Sequence, residues 1–241
     1  MTSRAGWPIA AGSRFQKDAG SQKESSYHLT LLARDREGYA NLLQLATKAF
    51  LEGFYFKPRI DRELLEAHSG GLVCLSGCLS GEFSRALVGV GAGQEAELAR
   101  AREVAGWFRR VFGDRYFIEI MNNGVGIQRI ALEGAVDLAK SMGLPLVATS
   151  DCHYVDADDA EAQDVMLCIN TGRLLKDENR MKYGSDQFYV RPPEEMYKLF
   201  PGHEEAVKRI LVDTVFGLWA TINNLTRLRP SQRERYRVTV F

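Results

Sequence analysis

The chain has few cysteines, no long apolar run and no excess of charge of either sign, and each shortage removes a class of protein. Four cysteines in 241 residues are too few for a disulfide framework, so a reducing, cytoplasmic setting is expected. Apolar runs such as LVCL at 72–75 and VFGLWATI at 215–222 fall far short of the ~20 residues that cross a bilayer. No membrane partner is expected. The first residues, MTSRAGWPIAAGSRF, lack the continuous apolar core of a secretory signal. Lys plus Arg and Asp plus Glu each number 31, giving a net charge of zero, so any nucleic-acid contact must come from a local patch. With 45% hydrophobic and 26% charged residues, the composition is that of a globular chain rather than a disordered or fibrous one.

The polar stretch QKDAGSQKESS at 16–26 has no periodicity and reads as a flexible loop, with ordered structure expected from Tyr27. From there strand and helix patterns alternate four times. HLTLLA, GLVCLSG, YFIEI and LPLVAT are short apolar runs that suit buried strands. The first is followed by a helix capped by Asp35, with Tyr39, Leu42, Leu43, Ala46, Ala49 and Phe50 on one face. The second precedes a helix over about 94–112 carrying Leu98, Ala101, Ala105, Phe108 and Phe112. The third precedes a helix with Ile127, Ile130, Ala131, Ala135, Leu138 and Met142 on its stripe, closed by Gly143. After the fourth, Asp156 caps a helix to about Ile169, and Pro193 starts another. Repeated strand–helix pairs of this length predict an α/β architecture with parallel crossovers, open or closed.

Asp151 and His153, in ATSDCHY, stand at the end of a predicted strand. Side chains at i and i+2 of an extended segment point the same way, and such a pair suits zinc, manganese or iron. A loop-capping Asp beside a surface His is the competing and, on residue types alone, better-supported reading. His28 opens its strand, either as a ligand or as a half-buried imidazole. Cys78 sits between Gly77 and Gly81, where a sharp bend could present its sulfur or simply bury it. Cys74 and Cys168 read as core. Lys57 and Arg59, among the aromatics of GFYFKPRID, could contact a nucleic-acid strand, against the simpler expectation of a packed loop. The glycines of GVGAG at 89–93 have no following Lys-Ser/Thr and read as a turn.

The strings AGSRF, YHLTLLARDREGYANLLQL, AFLEGFYFKPRID, GLVCLSGCLSGE, LPLVATSDCHYVDADDAEAQDVMLCINTG and DQFYVRPPEEM resemble, in order and spacing, the PHP domain family as found in bacterial DNA polymerase III alpha subunits. The resemblance runs from about Ala11 to about Arg209. It implies a distorted (β/α)7 barrel whose rim can hold divalent metals, zinc or manganese, and it assigns His28, Cys78, Asp151 and His153 as ligands. It also implies, as partners, the remainder of the alpha subunit and the replicase holoenzyme, a proofreading exonuclease subunit, and DNA.

Three departures qualify these implications. The family's opening segment, with its His-x-His-Thr, Thr-Asp-His-Gly and Gly-x-Glu blocks, is not found, so a partial barrel lacking its first strands and an incomplete metal site are expected. Two family histidines are replaced by Asn123 and Gln163 at positions expected to support or pack. Beyond about residue 209 the resemblance stops. The expected division is a remnant loop of the domain at 1–26, the C-terminal part of the barrel at 27–209 and an atypical, non-native tail at 210–241. The leading functional expectation is a structural PHP-domain piece of a DNA-directed DNA polymerase, without polymerase chemistry of its own. A metal-dependent phosphoesterase or 3′–5′ exonuclease is the alternative, and a histidinol-phosphatase-like enzyme is disfavoured by the FLEGFYFKPRID and DQFYVRPPEEM blocks.

Overall fold

The structure is a computed structural model that describes residues 6–10, 12–17, 26–55, 57–89 and 94–209. The expected tail at 210–241 and most of the GVGAG run lie outside these residues. The strands are β1 (Gly6–Ala10), β2 (Ser26–Ala33), β3 (Leu72–Leu75), β4 (Tyr116–Met121) and β5 (Leu146–Thr149). They form one five-stranded sheet in the order β1-β2-β3-β4-β5. Among the described residues the sheet is mixed and does not close, consistent with a partial β/α barrel.

Two of its features correct the sequence reading. First, ordered structure begins before Tyr27, because Gly6–Ala10 pairs antiparallel with β2. Its Pro8 hides it from a strand search, yet proline is tolerated on the outermost strand of a sheet. Second, β2 is antiparallel to β3, and only β3–β4 and β4–β5 are parallel. The chain between β2 and β3 passes along the sheet twice. Helix α1 (Arg36–Leu51) returns it to the start of β2, where Ile60 bridges Ile9 and Ile9 pairs with Tyr27. Helix α2 (Arg62–Ala67) then carries it forward, so that Gly71 accepts from the Arg34 N–H at 2.9 Å beside the end of β2.

The remaining helices are α3 (Glu82–Leu87), α4 (Gln94–Phe112), α5 (Gly126–Met142), α6 (Ala160–Thr171), α7 (Pro193–Leu199) and α8 (Glu204–Arg209). Their ends follow local chemistry. Asp35 accepts from Gly38 N–H at 2.8 Å to open α1, and Gly143 and Gly172 adopt φ of 62° and 63° to close α5 and α6. Asp156 and Asp159 form a reciprocal capping box on a 3-10 turn that runs into α6.

Helix α1 packs on β2 and β3, α4 on β3 and β4, α5 on β4, and α8 on β5. Phe108 stacks on Tyr116 at 5.4 Å between ring centres, and Phe112 lies 6.5 Å from Phe108. Truncating either phenylalanine to alanine costs about 3–5 kcal/mol at such buried sites. The buried stripes are narrower than the periodicity implies. Leu45 and Ala49 are buried on α1 while Tyr39, Leu43 and Phe50 face out, and Leu98, Ile127 and Ile130 are also exposed. Among the described residues no helix is long and apolar enough to cross a membrane.

Candidate functional site

Because β3, β4 and β5 run parallel, their C-terminal ends share one rim, and the antiparallel β2 begins there. His28 lies on β2 two residues from its start. Its backbone N–H donates to the Ser80 carbonyl at 3.0 Å, and it bridges Gly81. The turn between β3 and α3 must therefore pass close to β2. Gly77 allows this with a φ of 87°, and any Cβ there would lie 2.8 Å from the His28 carbonyl oxygen. The turn places Cys78 Sγ 3.5 Å from His28 Nδ1.

The second pair follows β5. His153 Nε2 lies 3.6 Å from Asp151 Oδ2, as expected of side chains two residues apart. The other ring nitrogen, Nδ1, is 3.0 Å from the Tyr183 hydroxyl, and the ring packs against Tyr183 and Phe188 with centres 4.7 and 5.6 Å away. The His153 N–H donates to the Phe188 carbonyl at 2.7 Å. Segment 183–190 is thereby laced to the end of β5.

Glu119 links the two halves of the rim. It is buried at 4% exposure, accepts from Gly77 N–H at 3.1 Å and from the Thr149 hydroxyl at 2.5 Å. The sequence reading missed it. Its signal is a lone carboxylate in the otherwise apolar strand YFIEIM, a residue that a buried strand holds only with partners.

Electrostatics set the resting state of the first pair. Burial pushes the Cys78 thiol up, a backbone hydrogen bond from Ser80 opposes this, and the charges of Asp151 and Glu119 add to the rise. Burial lowers His28, with Lys57 and Arg85 lowering it further and Asp151 opposing them. A neutral thiol beside a neutral imidazole is favoured over a thiolate–imidazolium pair. His28 opens β2, Cys78 follows β3 and Asp151 and His153 follow β5, so all four expected ligands lie along one rim.

They do not form one coordination shell. Among the described residues no group of three or more His, Cys, Asp and Glu side chains is placed to hold a metal ion. The four stand as two contacting pairs, whereas zinc takes at least three protein ligands. The cavity beneath Cys78, bordered by Gly77, Ser84, Glu119 and Gln128, is about 20 Å³, room for a water molecule and not for a nucleotide.

The replaced histidines support their neighbours. Asn123 is fully buried. Its N–H donates to Gln128 Oε1 at 2.7 Å and its amide to the Gln187 carbonyl at 2.9 Å. Gln163 hydrogen-bonds Tyr183, the residue against His153. Of the two basic residues considered for nucleic acid, Lys57 is exposed, but Arg59 is only 2% exposed. That corrects the expectation for Arg59. Its guanidinium donates to the carbonyls of Gly53, Arg14 and Gln16 at 3.2, 3.2 and 2.6 Å, tying the AGSRF block to the loop after α1. Cys74 and Cys168 are buried, as core residues would be.

A model of the PHP domain matches residues 4–123. The chain carries a PHP domain. It is also similar to proteins named DNA polymerase III subunit alpha. The protein from Treponema pallidum is 42% identical over 200 residues, 83% of this chain and 17% of that protein. That from Thermus aquaticus is 44% identical over 197 residues, 81% of this chain and 16% of that protein. The one from Deinococcus radiodurans is 44% identical over 191 residues, 79% and 14% respectively. The chain thus spans about a sixth of the length of these curated relatives, in the part that bears the PHP domain.

Proposed function

We propose that this PHP domain works as a structural module of a cytoplasmic DNA polymerase III alpha subunit in DNA replication, with no polymerase chemistry of its own. The observation that carries the proposal is the state of the rim: Glu119 accepts from Gly77 and Thr149, Tyr183 meets His153, and among the described residues the expected ligands stand in two pairs. Such a rim holds the chain segments after β3 and β5 together without an ion. Zinc or manganese would be held here only with ligands beyond those the described residues bring together. The partners are the remainder of the alpha subunit, the holoenzyme with its proofreading subunit, and DNA. The test is co-purification of the tagged full chain with the rest of the alpha subunit from the same organism. Co-elution is expected; a monodisperse chain that never associates would refute the module.

A second reading is a metal-dependent phosphoesterase or 3′–5′ exonuclease, favoured by the gathering of His28, Cys78, Asp151 and His153 on one rim. It requires shortening of a 5′-labelled DNA strand in zinc or manganese, lost in Asp151→Ala.

A further inference from the structure

The cavity beneath Cys78 is walled by three elements and mixes polar with apolar side chains. Ser84 enters it from α3, Glu119 from β4 and Gln128 from α5. Ser84 is 7% exposed, and its hydroxyl makes no hydrogen bond among the described residues, although a hydroxyl can both donate and accept. Leaving such a group buried and unsatisfied is unfavourable. Gln128 is buried as well, at 6% exposure. Its Oε1 accepts the Asn123 N–H at 2.7 Å, and its Nε2 donates to Asn123 Oδ1 at 3.4 Å. An amide nitrogen carries two hydrogens, so one remains for a second acceptor. Glu119, which accepts from Gly77 and Thr149, keeps the β4 wall polar. The space measures about 20 Å³, the size of one water. A cavity of that size with at least two polar partners is wet, whereas one lined only by apolar groups stays dry.

We propose that this cavity is a binding site for one ordered water, which accepts from Gln128 Nε2 and shares a hydrogen bond with the Ser84 hydroxyl. The water adds a polar tie between α3 and α5. The two helices also meet through apolar contact, with Leu87 over Gly134, where an added Cβ would lie 3.3 Å from the leucine. Cys78 borders the same space, so the water backs the turn that Gly77 bends toward His28. The site is independent of the polymerase-module reading.

Two measurements on the full chain test the site. A crystal structure should show an ordered water about 3 Å from both the Ser84 hydroxyl and Gln128 Nε2, absent in Ser84→Ala. Thermal melting should place the midpoint of Ser84→Ala about 2–4 °C below that of the unaltered chain. Helix propensity alone works the other way, since alanine is the better helix former. Three results would each overturn the proposal: no electron density at the site where other buried waters are seen, a Ser84 hydroxyl turned onto a carbonyl of its own helix, or a Ser84→Ala midpoint that holds or rises.

Discussion

Asp61 holds more of the described fold than any property of its sequence position announces. It takes a two-point contact from Arg14 Nη1 at 2.9 and 3.0 Å, accepts the Arg14 N–H at 2.9 Å, and caps α2 through Leu64 N–H at 3.0 Å. Arg14 also donates to Glu52 at 2.8 Å. Asp61→Ala leaves a buried guanidinium without its main partner, a change that costs about 3–5 kcal/mol. Urea denaturation should show that loss, with Asp61→Asn less damaged because it keeps the cap. At Gly77 the expected outcome is different in kind. Gly77→Ala strains a left-handed backbone and drives a methyl group against the His28 carbonyl, so the Cys78 turn should open. Faster alkylation of Cys78 than in the unaltered chain is the readout, and an unchanged rate would contradict the geometry. Neither residue's partner was legible in the sequence. AGSRF and FKPRID read as separate blocks, because nothing in periodicity joins residues 47 apart.

Among the elements, the ones found from sequence were those whose pattern is local. β2 to β5 announce themselves as apolar runs, α1, α4 and α5 by three-to-four-residue spacing, α6 and α7 by the starting residues Asp156 and Pro193, and the start of α1 and end of α5 by Asp35 and Gly143. Missed were β1, masked by Pro8, and the six-residue helices α2, α3 and α8, too short to show a period. Strand direction was misread at β2 because a buried strand has the same apolar pattern whichever way it runs. The lacing of segment 173–190 was likewise hidden. Arg180 grips Asp164 on α6 with both terminal nitrogens at 2.6 Å, and this clamp delivers Tyr183 to His153. The same contact lowers Asp164 below the usual carboxylate range. Arg180→Ala should therefore raise amide hydrogen exchange across 173–183 while leaving β3 and β4 protected. Uniform protection in the variant would mean that the segment is held by other contacts. Because the Asp164 carboxyl is lowered, the clamp's contribution is present above the ordinary carboxylate range and is lost as pH falls through the lowered one. The same segment should loosen on acidification in wild type, with Asp164→Asn abolishing that pH dependence.

For the whole molecule, the open sheet and the divided rim are parts of one description. A closed barrel would bring ligands from many strands to a common centre. Among the described residues, five strands in an open mixed sheet bring His28, Cys78, Asp151 and His153 to the same rim without gathering three of them around one point. The four candidates were legible as chemistry and, through the family resemblance, as a set. Their grouping into pairs was not, since the contacts that set it join residues far apart in the chain, Cys78 to His28 and Tyr183 to His153. On the proposed reading as a structural module, the thermal midpoint should be the same with and without a chelator. The most direct measurement is the metal content of the full chain purified without chelator, read by mass spectrometry of the elements. A structural module predicts far less than one equivalent of zinc or manganese; a full equivalent, lost together in Cys78→Ala and Asp151→Ala, would contradict it.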